Sequence, residues 1–250
     1  MKICAVIPAA GRGSRLNYHL PKLLLPLSSS QTVWSILHNT LSSLVDHIHI
    51  IVSPQHQASI SAALIEEQQK GFVSLSIQPS PIGMGDAIFH GYPIWSSAES
   101  ILILWGDQVF VSQNTIQKTL QSHAGAPNTV ALPLVDTVSP YVEYIFNSLG
   151  QLKQIHQSRE GDHCNPKGLS DVGVFALSVA NLTQNWQSYL EQIVKGQATG
   201  EINFLPFLVF LANSGWQIKT CPVEDPLESR GINTVDDWNF FKNKFSRNLL

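Results

Sequence analysis

The chain is poor in charge: only 13% of its 250 residues are Asp, Glu, Lys or Arg, and the formal net charge is −3. That balance argues against a general nucleic-acid binder and against a membrane-surface binder. Cysteine is scarce too. Cys4, Cys164 and Cys221 are an odd number without metal-like spacing, which fits the reduced thiols of a cytoplasmic protein. No apolar run approaches the roughly eighteen residues of a membrane span. The short apolar run at the N-terminus is broken by Pro8 and leads into a glycine loop, so it does not read as a cleaved leader. Internal repeats, low-complexity tracts and an interdomain linker are missing as well. Two common phosphate-binding signatures are also absent. No Gly-Lys-Ser/Thr tripeptide closes a mononucleotide loop. Leu16 stands where the dinucleotide fingerprint needs its third Gly, and Ser28–Gln31 offer no acid for a ribose.

What is present is a hydrophobic fraction of 44% and enough length to bury a full core. The stretch from Lys2 to Lys22 organises the rest. Ile3 to Ile7 is short and apolar, as in a strand buried on both faces. Ala9, Ala10, Gly11, Arg12, Gly13, Ser14 and Arg15 follow. Small residues and glycines let a backbone approach a ligand and turn its N–H groups toward it, which makes a nest for phosphate. Arg12, Arg15 and Lys22 add three cations that could meet the same anion, Arg through a fork and Lys as a point charge. An ordinary strand-to-helix turn with solvated basic residues is the alternative.

Downstream, the chain alternates strand and helix. A helix is expected after Ser28–Ser30, a strand at His47–Val52, and a helix from Ser53–Pro54 to about Gly71. A strand at 72–77, a helix at 86–94, a strand at 101–105 and a helix at 112–123 continue the pattern. This pace implies an α/β fold with a mostly parallel, Rossmann-like sheet and helices on both faces. Ligands of such sheets sit beyond the carboxyl ends of the strands, where Gly11, Gln78 and Asp107 fall. The second half reads as strands at 129–135, 141–146, 150–155 and 172–177 with little helix between them, a smaller β-rich extension. A helix from Gly200–Glu201 to Leu211, a strand at 216–220 and a helix at 234–245 close the chain. A single domain over 1–250 is expected, with a nucleotide half (1–125) and an acceptor half (126–250).

AAGRGSRL followed by LPK, then IGMGDA (82–87), WGD (105–107), GE (200–201) and ESRGIN (228–233), resembles the sugar-phosphate nucleotidyltransferase family over nearly the whole chain. Within it, the resemblance is to the uridylyltransferase domain of the bacterial N-acetylglucosamine-1-phosphate uridylyltransferases. It implies a Mg²⁺-dependent enzyme that joins a nucleoside triphosphate, UTP in that group, to a sugar 1-phosphate and releases pyrophosphate. The six-residue period of the acyltransferase domain in the bifunctional relatives is not visible here, so acetyl transfer is not expected.

The resemblance also implies roles. Ala9, Ala10, Gly11, Arg12 and Gly13 would cradle the triphosphate, with Arg15 and Lys22 as catalytic cations. Gln78 would read the base, and Gly83 and Gly85 would form a turn under base and ribose. Asp107 would be catalytic and, with Asn233, would hold Mg²⁺. Asp107 also stands out without the resemblance, because a carboxylate ending an apolar strand needs a partner or a cation. Asp86 reads as an acid complementing a helix N-terminus. On the acceptor side, Tyr141, Gln157, Arg159, Asp171 and Glu201 fall at the family's sugar-contacting positions. Tyr141 keeps the family's tyrosine but is flanked by Pro140 and Val142 instead of glycines, Gln157 replaces a glutamate, Arg159 stands where the family has a lysine, and Ser170-Asp171-Val172-Gly173 replaces its Glu-x-Asn-x-Gly turn. Arg159–Glu160 could equally be an exposed pair, and Glu201 could be a first-turn helix acid. A cytidylyltransferase for another phosphorylated small molecule, and a non-catalytic nucleotide-binding regulator, stay open as alternatives.

Overall fold

The computed structural model describes residues 2–11, 16, 20–192 and 195–247. The chain begins with β1 (Ile3–Ala9), whose alternate residues are buried on opposite faces. Ala5 and Ile7 join one hydrophobic cluster, Cys4 and Val6 the other. A strand apolar on both sides must lie between two layers, and this one does. The strand runs through Pro8, two residues beyond the expected stop, because Pro8 and Ala9 still pair with Ile51 and Val52 of β2 (His47–Val52).

Between β1 and β2 runs α1 (Val33–Leu41), started by a capping box in which Thr32 and Ser35 exchange side-chain and backbone hydrogen bonds. The cap is thus Thr32 rather than the preceding serine cluster. The helix expected from Pro54 is instead α2 (Gln57–Ala63) and α3 (Ile65–Gln69), broken at Leu64, whose φ and ψ of −110° and 17° leave the helical basin. β3 (Val73–Ile77) follows. The next expected helix is also split, into α4 (Met84–His90) and α5 (Tyr92–Trp95), joined at Gly91. A Cβ at Gly91 would lie 2.7 Å from the His49 ring, so close packing against β2 explains the glycine at the joint. β4 (Ser100–Leu104) is wholly buried and leads to α6 (Gln113–His123), capped by Ser112.

The second half holds β5 (Thr129–Val138), β6 (Val142–Phe146), β7 (Leu152–Gln157), β8 (Lys167–Asp171) and β9 (Val174–Ser178). It continues with α7 (Leu182–Gln192), α8 (Leu205–Asn213), β10 (Gln217–Val223) and α9 (Val235–Arg247). Neither β8 nor α7 was expected. β8 is polar and mostly not buried, and α7 buries only Leu182, Trp186 and Tyr189, so both patterns are weak.

One mixed sheet runs β3-β2-β1-β4-β9-β5-β8-β6-β7, with β10 beside β5. The β3-β2-β1-β4 part is parallel, as the strand–helix alternation requires. From β9 outward the pairings are antiparallel, apart from β5–β10. The β-rich extension is therefore a continuation of the same sheet. Its bend lies at Val172–Gly173, where β8 passes into β9 and carries two more residues than the facing stretch of β5. Gly173 has φ +75°, and a Cβ there would meet Gln108 and Trp105 at 2.6 Å. Only glycine fits there. No helix among the described residues is long and apolar enough to cross a membrane.

Candidate active site

Beyond the carboxyl ends of β1, β3 and β4 lies a cleft of about 870 Å³, walled on its far side by β6–β8 and the segment 199–205. Ala9, Ala10 and Gly11 line it where β1 ends. Lys22 enters from a 3-10 turn (Lys22–Leu24) that packs Leu23 into the core. Asp107, just past β4, faces Lys22, with Nζ 2.8 Å from Oδ2. Both side chains are partly buried, at 27% and 17% exposure. That pairing resolves the cost of a carboxylate at this strand end, and it leaves the second carboxylate oxygen free for a cation among the described residues.

The loop before α9 closes on the same point. Ile232 N–H donates to the Asp107 carbonyl at 3.0 Å, and Gly231 lies so near that a Cβ would sit 3.0 Å from the Asp107 carboxyl carbon. Asp237 holds this loop from behind. Its Oδ2 accepts from the N–H groups of Asn233 and Thr234 and from the Thr234 hydroxyl, and its Oδ1 accepts from Arg230 Nε. These bonds outweigh its burial and keep the Asp237 carboxyl below the usual carboxylate range. Asn233, at the loop's end, lines the cleft with Asp107. Asp107 and Asn233 suit magnesium, which takes one or two protein oxygens and fills the rest with phosphate and water. Among the described residues no group of three or more His, Cys, Asp or Glu could form an all-protein metal cage.

On the other flank, Gln78 follows β3 and lines the cleft while only 3% exposed. Its Nε2 donates to the Gly83 carbonyl at 3.1 Å and to Asp86 Oδ2 at 2.7 Å. Asp86 is in the first turn of α4, as expected, but its carboxylate also holds this glutamine. Gly83 lines the cleft; Gly85 does not. Both glycines are explained by the protein's own packing. A Cβ on Gly83 would lie 2.4 Å from the Ile202 carbonyl oxygen, and one on Gly85 would lie 2.5 Å from Trp186. Gly85 thus packs behind the cleft wall.

The far wall holds the expected acceptor residues. Tyr141, Gln157, Arg159, Asp171 and Glu201 all line the cleft. Glu201 does not open a helix, since α8 begins at Leu205; it forms an ion pair with Arg159 instead. Nor is Arg159–Glu160 an exposed pair. Glu160 is 8% exposed and accepts four hydrogen bonds, from the N–H groups of Ala198 and Thr199, the Thr199 hydroxyl and Asn203 Nδ2. Burial would raise its pKa, but these donors win and hold it at about 2. Asp171 is buried at the bend of the sheet. Burial lifts it to about 6, against the Gly173 N–H that its Oδ1 accepts at 2.8 Å. Burial also raises the neighbouring Tyr144 phenol, and the Asp171 charge adds to the effect.

Thirteen of the sequence-predicted residues thus meet in one cleft. Arg12, Gly13 and Arg15 lie outside the described residues. Asp86, Glu160, Thr199, Asn203, Arg230 and Asp237 were not expected here. Asp86 and Glu160 carried a signal as charged neighbours of a predicted turn and a predicted contact, and Arg230 as part of ESRGIN.

Residues 5–164 match the family described as MobA-like NTP transferase domain. The bifunctional protein GlmU of Pseudomonas putida (strain GB-1) is 23% identical over 235 residues, covering 93% of this chain and 49% of that protein. The same protein from Pseudomonas fluorescens (strain Pf0-1) is 25% identical over 236 residues, with the same coverage. The chain therefore spans about half the length of the curated relatives it matches. Among solved structures, one described as a glucose-1-phosphate thymidylyltransferase from Bacillus anthracis superimposes with a TM-score of 0.76 at 15% identity, covering 97% of this chain and 94% of that one. The 4-diphosphocytidyl-2C-methyl-D-erythritol synthase of Anaerococcus prevotii gives 0.68 at 16% identity, covering 98% and 96%. At such identities the likeness shows the fold alone. With a family match over more than half its length, a fold shared with nucleotidyltransferases and a cleft at the strand ends, the chain belongs to the MobA-like NTP transferase domain family.

Proposed function

We propose that this chain transfers a nucleotidyl group from a nucleoside triphosphate, UTP foremost, to a sugar 1-phosphate, with N-acetylglucosamine 1-phosphate the first candidate. Residues 1–125 would bind the nucleotide and 126–250 the acceptor. The observation that carries this reading is the Lys22–Asp107 ion pair at the junction of the two flanks. It puts a cation for phosphate and a carboxylate for a metal at one point. When bound between Asp107 and Asn233, Mg²⁺ would supply charge neutralisation for the phosphates.

In the reaction, an anionic phosphate oxygen of the acceptor forms a bond to the α-phosphorus. The bond from that phosphorus to the bridging oxygen breaks, and pyrophosphate leaves with the electron pair. The attacking oxygen carries no proton, so no general base is needed. The protein's task is positioning and charge. Lys22 neutralises the α-phosphate, the β1 loop residues Ala9, Ala10 and Gly11 admit the phosphates, and Gln78 meets the base. Arg159, Tyr141, Gln157 and Glu201 orient the acceptor.

Pyrophosphate release with Mg²⁺, across UTP, dTTP, CTP, GTP and ATP against a panel of sugar 1-phosphates and other phosphomonoesters, tests the proposal. Turnover with UTP and a sugar phosphate is expected. Turnover only with CTP and a non-sugar acceptor would replace it with the cytidylyltransferase reading. Nucleotide binding without turnover across the panel would overturn catalysis.

A further inference from the structure

The hydrogen bonds of Gln78 fix more than its position. Gly83 offers its side chain a carbonyl, and Asp86 a carboxylate. Both groups only accept, and the amide nitrogen carries two hydrogens. The amide therefore has one allowed orientation, with both N–H bonds directed into the protein. Turned over, Oε1 would face two acceptors at under 3.2 Å. Oε1 has no partner among the described residues, so it is the polar atom that this side chain presents to the cleft. Gly83 cannot relax to release the amide. Its carbonyl also accepts the Ala87 N–H, and the residue is wedged against the Ile202 backbone. Asp86 does not line the cleft. Its direct contact toward the cleft is with Gln78.

We infer that Asp86 is a positioning residue that locks Gln78 as an acceptor-only base reader, selecting nucleotides whose base presents an N–H to it. This rests on the cleft being the nucleotide site proposed above. Uracil and thymine carry a hydrogen on N3; cytosine presents a lone pair there. A free glutamine could serve either by turning its amide. Here, turning is blocked, so cytosine N3 would meet Oε1 acceptor to acceptor, and a buried mismatch of this kind excludes a ligand more strongly than a match recruits one. The selectivity belongs to the pair of residues rather than to glutamine alone.

The test is calorimetric binding of UTP and CTP, without acceptor, to the wild type, Asp86→Ala and Asp86→Asn, with pyrophosphate release measured alongside. The wild type should favour UTP by at least about tenfold. In Asp86→Ala the ratio should fall by about threefold or more, because the shorter of the two contacts that hold the amide is gone and only the Gly83 carbonyl at 3.1 Å still opposes its turning. Asp86→Asn should keep the preference, since its Oδ1 can accept where the carboxylate did. A folded Asp86→Ala protein with an unchanged ratio would overturn the inference, as would a wild type that prefers CTP or binds neither. If the ratio collapses in Asp86→Ala but no nucleotide is turned over, the inference stands and the proposed catalysis falls. If UTP is turned over and the ratio is unmoved, the reverse holds.

Discussion

Lys22 and Asp107 are 85 positions apart in sequence, yet Nζ lies 2.8 Å from Oδ2. With no substrate bound, each satisfies the charge of the other. On the proposed reading, phosphate would draw Lys22 away before Asp107 could give both of its oxygens to a metal. Lys22→Met keeps most of the length of the side chain and removes its charge. Turnover should fall by about a hundredfold or more, the loss typical of removing one preorganised electrostatic contact. Stability should change by no more than about 1 kcal/mol, because a partly exposed pair contributes little. With its competitor gone, Asp107 should bind Mg²⁺ more tightly in the absence of nucleotide, which calorimetry can read directly. Weaker metal binding in Lys22→Met would show that the lysine assembles the metal site instead of competing for it.

A second prediction concerns Asp171, lifted by burial from 3.8 to about 6. A carboxyl whose pKa is raised in the folded state binds its proton more tightly there than in the unfolded chain. Its charge therefore carries no penalty below pH 3.8, and the penalty grows as pH rises through about 6. Asp171→Asn keeps an oxygen for the Gly173 N–H and removes the charge. Above pH 7 the variant should be more stable by on the order of 3 kcal/mol, from a shift of about two pKa units. Denaturant unfolding at pH 5 and pH 8 checks the sign: the gain must be larger at pH 8.

The parts that were legible in the sequence share a cause. β1 and β4 are apolar runs and β3 alternates, and the carboxyl ends of all three must point at the ligand side of a parallel sheet, so Gly11, Gln78 and Asp107 could be placed together from order alone. What could not be read depends on contacts between distant segments. Gly83 and Gly85 read as a ligand-binding turn, and nothing local in the sequence shows that Ile202 and Trp186 pack against them. Glu160 looks solvated until Ala198, Thr199 and Asn203 converge on it. Asp86 caps a helix in any sequence-local account, and only the return of Gln78 to its side reveals the second role.

Glu160 ties the segment 198–203 to the end of β7, and that segment carries Glu201, the partner of Arg159. In Glu160→Gln an amide N–H₂ must face donors from Ala198 and Thr199 or from Asn203, so at least one bond is lost on either orientation. The acceptor KM should rise about tenfold through displacement of Arg159 and Glu201, with kcat less affected. The pH dependence has a definite sign. Because the folded-state value is held at about 2, below the ordinary 4.5, the stabilisation is full above pH 4.5 and is lost as pH falls toward 2. The stability gap between wild type and variant should shrink across that interval. A constant gap from pH 6 to pH 3 would mean that the charge of Glu160 plays no part in the latch.

The glycines of the 83–85 turn yield a ranking. Gly83 has φ +136° and ψ 163°, a region that L side chains rarely adopt, and its Cβ would strike the Ile202 backbone. Backbone cannot yield as a flexible side chain can, so Gly83→Ala should cost at least about 3 kcal/mol. Gly85 is helical, and its clash is with the Trp186 ring. That ring is stacked on Phe89 at 4.2 Å and set edge-on to Phe207 at 5.0 Å, which leaves it little room. Gly85→Ala should cost about 1–3 kcal/mol, the usual range for overpacking. Gly150 is the control. It has φ +72° in the hairpin between β6 and β7, with open space around the Cβ position, so Gly150→Ala carries only the left-handed backbone penalty of about 1–2 kcal/mol. Urea midpoints should fall in the order Gly150→Ala, Gly85→Ala, Gly83→Ala, with the middle variant overlapping the control most. Because Gly85 does not reach the cleft, Gly85→Ala should also retain nucleotide affinity at temperatures where it is folded. A stable Gly85→Ala protein that has lost nucleotide binding would return that glycine to the ligand.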